Sequence, residues 1–321
     1  MRVTHWWGMA NMTIIGAMNY GPIIKEIGRG AKGSRALDTA TAAALFGDIL
    51  DGAVPDIELG AILVAYRIKS EALDELIGFK QAMDARSAQV TVPDGPHCVV
   101  LPTYNGARRQ ANLMPLVAML LAREGVPVLI QGRHDFDTRV SPFELLGALG
   151  LQPAADAAQA SQQLAANRLA CIGVDELLPG LDALLALRTR MGVRASGHIV
   201  AKLLDPCRGR SVRVVAVTHP EYLERMDAFL RADSGRAMLL RATEGEIYAN
   251  PRRCPELKAY VDGVGSIAVA GEEGGAPPLQ SLPDAPAVAD NAALIRAMLA
   301  GEVPIPAPIS AQVAALKALA D

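Results

Sequence analysis

Short apolar runs that alternate with helical segments constrain the fold of this chain more than any other feature. The runs are bounded by turn residues and read CVVLP (98–102), VPVLI (126–130), VRVVAVT (212–218) and AMLLRA (237–242). Helical patterns such as LMPLVAMLLAREG (113–125) lie between them. Strands that alternate with helices pair in parallel and are covered on both faces. We therefore predict a large α/β domain with a mostly parallel sheet over residues 93–321.

Residues 18–92 carry only helical patterns, which predicts a separate N-terminal helical domain. Asp38 and Ser70 each precede such a pattern and are the expected helix caps. The Ala-rich and Leu-rich residues 154–192 are also expected to be helical and could join this domain in space. Residues 1–17 precede any recognisable pattern, and we predict that they form a disordered extension.

Composition narrows the classes of function. The 321 residues carry a net charge of −3, so any affinity for nucleic acid must come from local clustering of cations. The four cysteines have no CxxC spacing, and no Cys/His set has metal-ligand spacing, so we expect buried thiols in a reducing cytosol and no bound metal. No apolar run is long enough to cross a membrane, which favours a cytoplasmic protein with no membrane partner.

One glycine motif is a poor candidate for a nucleotide site. GRGAKG (28–33) matches GxGxxG, but the dinucleotide fingerprint requires a strand before it. The preceding PIIKEI (22–27) has a helical pattern. We therefore expect a flexible loop between helices, with basic residues that could touch a polyanion.

From about residue 20 to 310, the order of elements resembles the anthranilate phosphoribosyltransferase (TrpD) family, which has the frame of glycosyl transferase family 3. The stretch LFGDILDGAVPDIELGAILVAYRIKSEALDELIGFKQAM (45–83) is similar to that family's helical opening. The resemblance implies a helical domain, a larger α/β domain, a substrate cleft between them and a homodimer formed through the N-terminal helices.

The family's phosphoribosyl-diphosphate loop, G-T-G-G-D, aligns with residues 102–106, which read PTYNG. Only Thr103 is retained, whereas Tyr104 and Asn105 put side chains where backbone should approach the ligand. Asn112 matches an asparagine of the family six residues further on. These four residues are the candidate cleft loop, and Tyr104 is the one aromatic residue placed where it could stack on a base.

Two further blocks depart from the family. Its K-H-G-N block aligns with residues 130–133, which read IQGR, and its Asp-Glu pair for magnesium aligns with Gly245 and Glu246. Glu246 is thus a residual metal-site position. We predict no catalytic residue and no cofactor, with Mg²⁺ required only if transferase activity persists. At YNGAR and TEGE the chain resembles the YbiB-type subfamily, which implies a dimeric nucleic-acid-binding protein.

Residues 188–213 contain seven cations and a single acid, Asp205. The resemblance places Arg194 on the substrate side of the cleft and Lys202 on its wall. With the loop arginines, the candidates for phosphate binding are Arg108, Arg109, Arg133, Arg188, Arg190, Arg194, Lys202, Arg208 and Arg210. Arginine can bond two phosphate oxygens at once.

We therefore predict binding to the backbone of DNA or RNA with low sequence preference. The alternatives are a phosphoribosyl or other glycosyl transferase with altered substrate and phosphate binding, a small-anion or nucleotide sensor, and arginines that are solvated or paired with Asp and Glu elsewhere.

Overall fold

The computed structural model describes residues 18–30, 32–133, 138–284 and 286–321, so the extension predicted for residues 1–17 lies outside the described residues. The predicted fold class is confirmed, because one seven-stranded sheet with the order β3-β2-β1-β4-β5-β6-β7 forms the centre of the α/β part. Strands β1 to β5 are parallel, and β6 and β7 are added in antiparallel orientation at one edge. The strands are β1 (Cys98–Thr103), β2 (Val128–Gly132), β3 (Leu169–Gly173), β4 (Ser211–Val217), β5 (Arg236–Arg241), β6 (Leu257–Val261) and β7 (Val264–Val269).

The central strands are covered on both faces, which explains their unbroken apolar runs. In β1, Cys98 and Val100 face a core shared with the N-terminal helices, whereas Val99 and Leu101 face a second core against the C-terminal helices. The helices are α1 (Tyr20–Ile27), α2 (Thr39–Leu50), α3 (Asp56–Lys69), α4 (Leu73–Asp84), α5 (Met114–Arg123), α6 (Pro142–Ala148), α7 (Ala157–Asn167), α8 (Val174–Leu177), α9 (Pro179–Ala186), α10 (Arg188–Met191), α11 (Gly197–Val200), α12 (Pro220–Ala232), α13 (Val288–Ala300) and α14 (Ala307–Ala320).

The ends of the N-terminal helices confirm one expected cap and correct the other. Asp38 accepts a hydrogen bond from the Thr41 N–H at 2.8 Å and caps α2. The prediction for Ser70 was wrong, because Ser70 ends α3 with a φ of 66°. Glu75 instead reaches back to accept from the Ala72 N–H at 2.7 Å, which fixes the start of α4.

The prediction that residues 154–192 are helical throughout is wrong, because they contain the parallel strand β3 as well as α7, α8 and α9. Helix α9 of this stretch packs closely against α2. Gly180 permits this contact, because a Cβ atom there would lie 1.9 Å from the Leu50 carbonyl oxygen. The GRGAKG stretch follows α1 rather than a strand, as its sequence context indicated. Among the helices of the described ranges, none has the length and apolar character that a membrane span requires.

Candidate functional site

The loops that follow β1 and β4 open toward the N-terminal helices and enclose a cavity of about 410 Å³. Tyr66 and Arg67 of α3 form one wall, and Tyr104 and Asn105 of the loop after β1 form another. The rest of the lining comes from Glu71, Arg188, residues 192–196, His198, Ile199, Lys202, Val217, Thr218, His219 and Tyr222. The cavity therefore lies at the carboxyl ends of parallel strands, the usual location of ligand sites in open α/β sheets.

A buried glutamate holds the loop after β1. Glu246 Oε2 accepts from the Thr103 hydroxyl at 2.8 Å, and Glu246 Oε1 accepts from the backbone N–H groups of Asn105 at 3.1 Å and Gly106 at 2.8 Å. Burial raises the pKa of Glu246, whereas these hydrogen bonds oppose the rise. Both carboxylate oxygens are thus committed to donors from the protein.

A second glutamate from the same turn holds the next part of the loop. The Glu244 carboxylate accepts from the N–H groups of Arg108, Arg109 and Gln110 at 3.0–3.2 Å. Glu244 lies 135 residues from Arg109 in the chain and has a φ of 54°. It is partly exposed on the edge of a groove of about 800 Å³.

These contacts test whether the residues fit the magnesium and diphosphate implied by the resemblance. Both carboxylate oxygens of Glu246 already accept hydrogen bonds from Thr103 and the loop N–H groups, so a cation would have to compete with these donors. The N–H groups of Asn105 and Gly106, in the stretch that aligns with the family's diphosphate loop, are bonded to Glu246. Within the described ranges, no cluster of three His, Cys, Asp or Glu side chains could hold a metal ion. The residues present therefore do not fit the family's magnesium–diphosphate group.

The cleft-loop residues have structural roles that sequence alone did not indicate. Tyr104 is 5% exposed, and its hydroxyl donates to Gln131 Oε1 at 2.6 Å. The prediction that Tyr104 could stack on a base is wrong, because the residue lines the cavity but leaves too little of its surface exposed for a base to cover. Asn112 is fully buried, donates to the Val140 carbonyl oxygen at 3.1 Å and accepts from the Met114 N–H at 3.2 Å.

Arg67, Arg188 and Arg194 line the cavity, and Arg139 and Arg108 are close enough for their charges to interact with this group. We call these five residues the cleft arginines. Arg194 donates to Asn105 Oδ1. Burial lowers the pKa of Arg194, and the charges of Arg188, Arg139 and Arg67 lower it further. The pKa of Arg139 is lowered by burial and by Arg108. The sequence did not identify Arg67 or Arg139 as members of this group. Arg67 lies within an ordinary helical pattern, and Arg139 lies in no recognised motif.

The other predicted cations are dispersed. Arg133 is in an ion pair with Asp182, Arg109 borders the groove, and the exposed Arg190 lies 3.7 Å from Asp56. Arg208 and Arg210 precede β4 at the opposite end of the sheet from the cavity.

Arg208 donates to Ser87 Oγ and lies 3.6 Å from Asp84, and Arg210 donates to the carbonyl oxygens of Pro93 and Gly95. The prediction that Arg208 and Arg210 share a cleft with Arg194 is wrong, because the chain crosses to the other end of the sheet between residues 203 and 211.

Lys202 lies on the cavity wall, as its alignment implied. Its Nζ donates to the Ala216 carbonyl oxygen at 2.6 Å. Burial lowers its pKa to about 8, although the negative charge of Glu246 acts in the opposite direction. Lys202 therefore adds a positive charge to the cavity at neutral pH and loses it in moderately alkaline solution.

Comparisons with known proteins agree with this architecture. Residues 21–87 match the model of the glycosyl transferase family helical bundle domain. The chain is 42% identical over 299 residues to YbiB of Escherichia coli, an uncharacterized protein, covering 92% of this chain and 93% of YbiB. It is 30% identical over 174 residues to anthranilate phosphoribosyltransferase of Methylobacterium radiotolerans, covering 54% of this chain and 50% of that enzyme. The chain belongs to the TrpD-like family.

Solved structures show the same TrpD-like fold. Anthranilate phosphoribosyltransferase of Thermus thermophilus superposes with a TM-score of 0.71 at 22% identity, covering 92% of this chain and 87% of that one. The Saccharomyces cerevisiae enzyme in complex with PRPP and Mg superposes with a TM-score of 0.73 at 13% identity, covering 94% and 88%. In this TrpD-like protein, Glu244 and Glu246 bond the loop that follows β1.

Proposed function

We propose that this TrpD-like protein binds the sugar–phosphate backbone of nucleic acid through the cleft arginines, with little sequence preference. One observation carries the proposal: Arg67, Arg188 and Arg194 line the same cavity, and the charges of Arg188 and Arg67 lower the pKa of Arg194. Like charges held together disfavour the ligand-free protein, and a polyanion relieves that repulsion. Arg67 and Arg108 are exposed at the edge of the cluster, where a long ligand could reach them.

The expected mode of binding follows from which groups are accessible. The guanidinium groups can bond phosphate oxygens in pairs, whereas Tyr104 is buried and cannot stack on a base. Contacts to phosphate fix a strand in position without reading its sequence. We therefore propose binding to DNA or RNA that depends strongly on salt and weakly on base composition.

We also propose that a second copy of the chain packs on α3. Ile57, Val64 and Ile68 are exposed by 85%, 45% and 63%, and their spacing places them on one face of this helix. Three large apolar side chains on one exposed face are typical of a protein–protein contact. If the proposal holds, I57E/I68E will be monomeric in multi-angle light scattering at a concentration where the unaltered chain is a dimer. A monomeric unaltered chain at that concentration would refute it.

The function is tested by fluorescence anisotropy of labelled single-stranded DNA, duplex DNA and single-stranded RNA over a series of salt concentrations. We expect steep loss of affinity with salt, and a log–log slope for duplex DNA that becomes shallower by about 0.9 for each phosphate contact removed. The variant R188A/R194A removes two cleft arginines. Its affinity should fall at low salt and its slope should flatten by about 2.

Arg210 supplies a matched control, because it is an arginine from the same basic stretch but lies at the other end of the sheet. R210A should leave both the affinity and the salt slope unchanged. Circular dichroism melting of each variant separates loss of binding from loss of folding. Absence of binding by the unaltered chain in dilute salt, or equal loss in R210A and R188A/R194A, would refute the proposed function.

A further inference from the structure

We propose that Glu244 is a built-in competitor: its carboxylate occupies an oxyanion site formed by the backbone N–H groups of Arg108, Arg109 and Gln110, and a phosphate group binds there by displacing it. Beyond the cleft arginines, this gives the protein a second, backbone-made phosphate site that is masked in the free state. The ligand chemistry is a phosphate group, either of a small diphosphate or of a nucleic-acid strand.

The geometry of the three N–H groups supports such a site. They are consecutive in sequence and converge on one carboxylate at 3.0–3.2 Å. Successive N–H groups that point into one concavity make a general anion site, whatever anion fills it. A carboxylate and a phosphate present oxygen acceptors of similar size and charge, so a phosphate can use the same donors.

The positive charge around the site favours a phosphate over a carboxylate. Arg139 Nη1 donates to the carbonyl oxygens of Gly106 and Glu244 at 3.3 and 3.4 Å, which holds its guanidinium beside the loop. Arg108 and Arg109 are exposed at the same place. A phosphate carries more negative charge and more acceptor oxygens than Glu244, so it gains more from these cations.

The Glu244 carboxylate can be displaced from its N–H donors more easily than the carboxylate of its neighbour Glu246. Glu246 is fully buried and bonds three donors of the loop. Glu244 is partly exposed on the groove edge and has a φ of 54°, a conformation that is unfavourable for a residue with a side chain. Displacement would open its carboxylate to water and release the turn to relax, while Glu246 kept the first half of the loop in place.

The first experiment titrates inorganic diphosphate into the full-length protein by calorimetry. E244A and E244Q are compared with E224Q, which changes the net charge equally at another exposed glutamate of the same groove. We expect both Glu244 variants to bind diphosphate about tenfold more tightly than the unaltered chain. E224Q should stay within about twofold of it, because charge alone has little effect at exposed sites.

Thermal melting provides a second readout. Removal of Glu244 leaves three N–H groups without their acceptor, so E244A should melt at a lower temperature, and diphosphate should restore much of the loss. Diphosphate should not restore E224Q in this way. E244Q keeps an amide oxygen as an acceptor for the N–H groups. If E244A fails to fold, E244Q can therefore still be compared with E224Q.

A third readout uses the unaltered chain, so that it does not depend on any variant. With arginine labelled by ¹⁵N, the amide signals of Arg108 and Arg109 should shift as diphosphate is added, because their hydrogen-bond acceptor changes. The proposal is overturned if these signals do not move at saturating diphosphate, or if folded E244A and E244Q bind diphosphate no more tightly than E224Q.

A final arm with single-stranded DNA distinguishes the source of the phosphate. Tighter DNA binding by E244Q than by E224Q assigns the site to a strand phosphate, and this reading rests on the proposed function. If E244Q binds diphosphate more tightly than E224Q but does not bind DNA more tightly, the site belongs to a small phosphate ligand. If no variant binds DNA but E244Q gains diphosphate, the proposed function fails while the masked site stands.

Discussion

Thr103, the last residue of β1, donates its hydroxyl hydrogen to Glu246 Oε2 at 2.8 Å across 143 positions of sequence. This bond ties the end of a central strand to the turn after β5, and the other oxygen of Glu246 accepts from the backbone N–H groups of Asn105 and Gly106. Thr103 is retained from the diphosphate loop of the transferase family, but here it serves the chain's own carboxylate.

Replacement of Thr103 by valine tests how much this bond stabilises the fold. Valine keeps the shape of threonine and removes the donor, so Glu246 keeps a buried acceptor with one partner fewer. We expect T103V to lower the free energy of unfolding by about 1–3 kcal/mol in urea denaturation. T103S keeps the hydroxyl and should lose less. Equal stability of T103V and the unaltered chain would show that the bond contributes nothing.

Tyr104 should matter for stability and not for binding. Y104F removes the donor to Gln131 Oε1 and leaves that buried oxygen without this partner, which should cost about 1–3 kcal/mol. The affinity for single-stranded DNA should not change. Tyr222 lines the same cavity and has no hydroxyl hydrogen bond within the described ranges, so Y222F is the matched control. A stable Y104F would contradict the structural role assigned to the hydroxyl.

The parallel strands β1, β2, β4 and β5 could be predicted because local sequence determines them, whereas β3 lies in residues 154–192, which were expected to be helical. Each of these strands is buried on both faces, and a strand buried on both faces is apolar along its whole length. An unbroken apolar run such as 212–218 therefore indicates a central strand of the sheet. The helix cap at Asp38 could also be predicted, because its partner Thr41 is only three residues away. The prediction for Ser70 was wrong because Ser70 ends α3 and α4 begins only at Leu73, where the carboxylate of Glu75 accepts from the Ala72 N–H.

The site was harder to predict because its contacts are distant in sequence. Nothing near Arg109 indicates that Glu244, 135 positions away, is bonded to its N–H. The basic stretch after residue 187 appears continuous in sequence, yet the chain passes through the core before β4 and separates Arg194 from Arg210. The cations Arg67 and Arg139 reach the cleft from other elements. Composition therefore predicted that a basic surface exists, but not which residues form it.

Glu75 provides a test of the helical part that does not involve the cleft. It is fully buried, pairs with Lys69 at 2.5 Å and accepts from the Leu37 N–H at 2.9 Å and the Tyr66 hydroxyl at 3.2 Å. Burial and the charge of Glu75 raise the pKa of Tyr66. E75Q leaves Lys69 without its negative partner, so we expect a loss of about 3 kcal/mol in urea denaturation.

The neighbouring Asp74 is exposed in the same turn, and D74N is the control for the loss of one negative charge near the start of α4. Its effect should stay below about 1 kcal/mol, the usual range for a charge in the first turn of a helix. If E75Q and D74N were equally stable, the buried pair would make no special contribution to this part of the fold.

Lys202 makes the stability of the protein depend on pH in a defined direction. Its pKa falls from 10.5 in the unfolded chain to about 8 in the folded one, mainly because of burial. Between these values the unfolded chain holds a proton that the folded chain has lost. The free energy of unfolding attributable to Lys202 therefore rises with pH across this interval, by about 3 kcal/mol in total, and does not change below pH 7.

The variant K202M isolates this effect, because methionine has a similar length and no proton to lose. Urea denaturation of both proteins at pH 7, 8, 9 and 10 gives the difference in stability, in which all other titrating groups cancel. We expect the free energy of unfolding of the unaltered chain to increase relative to that of K202M as pH rises above 8. Its affinity for DNA should fall over the same range, because the positive charge beside the cleft arginines is lost. A difference that stays constant with pH would mean that Lys202 keeps its proton in the folded protein throughout this range.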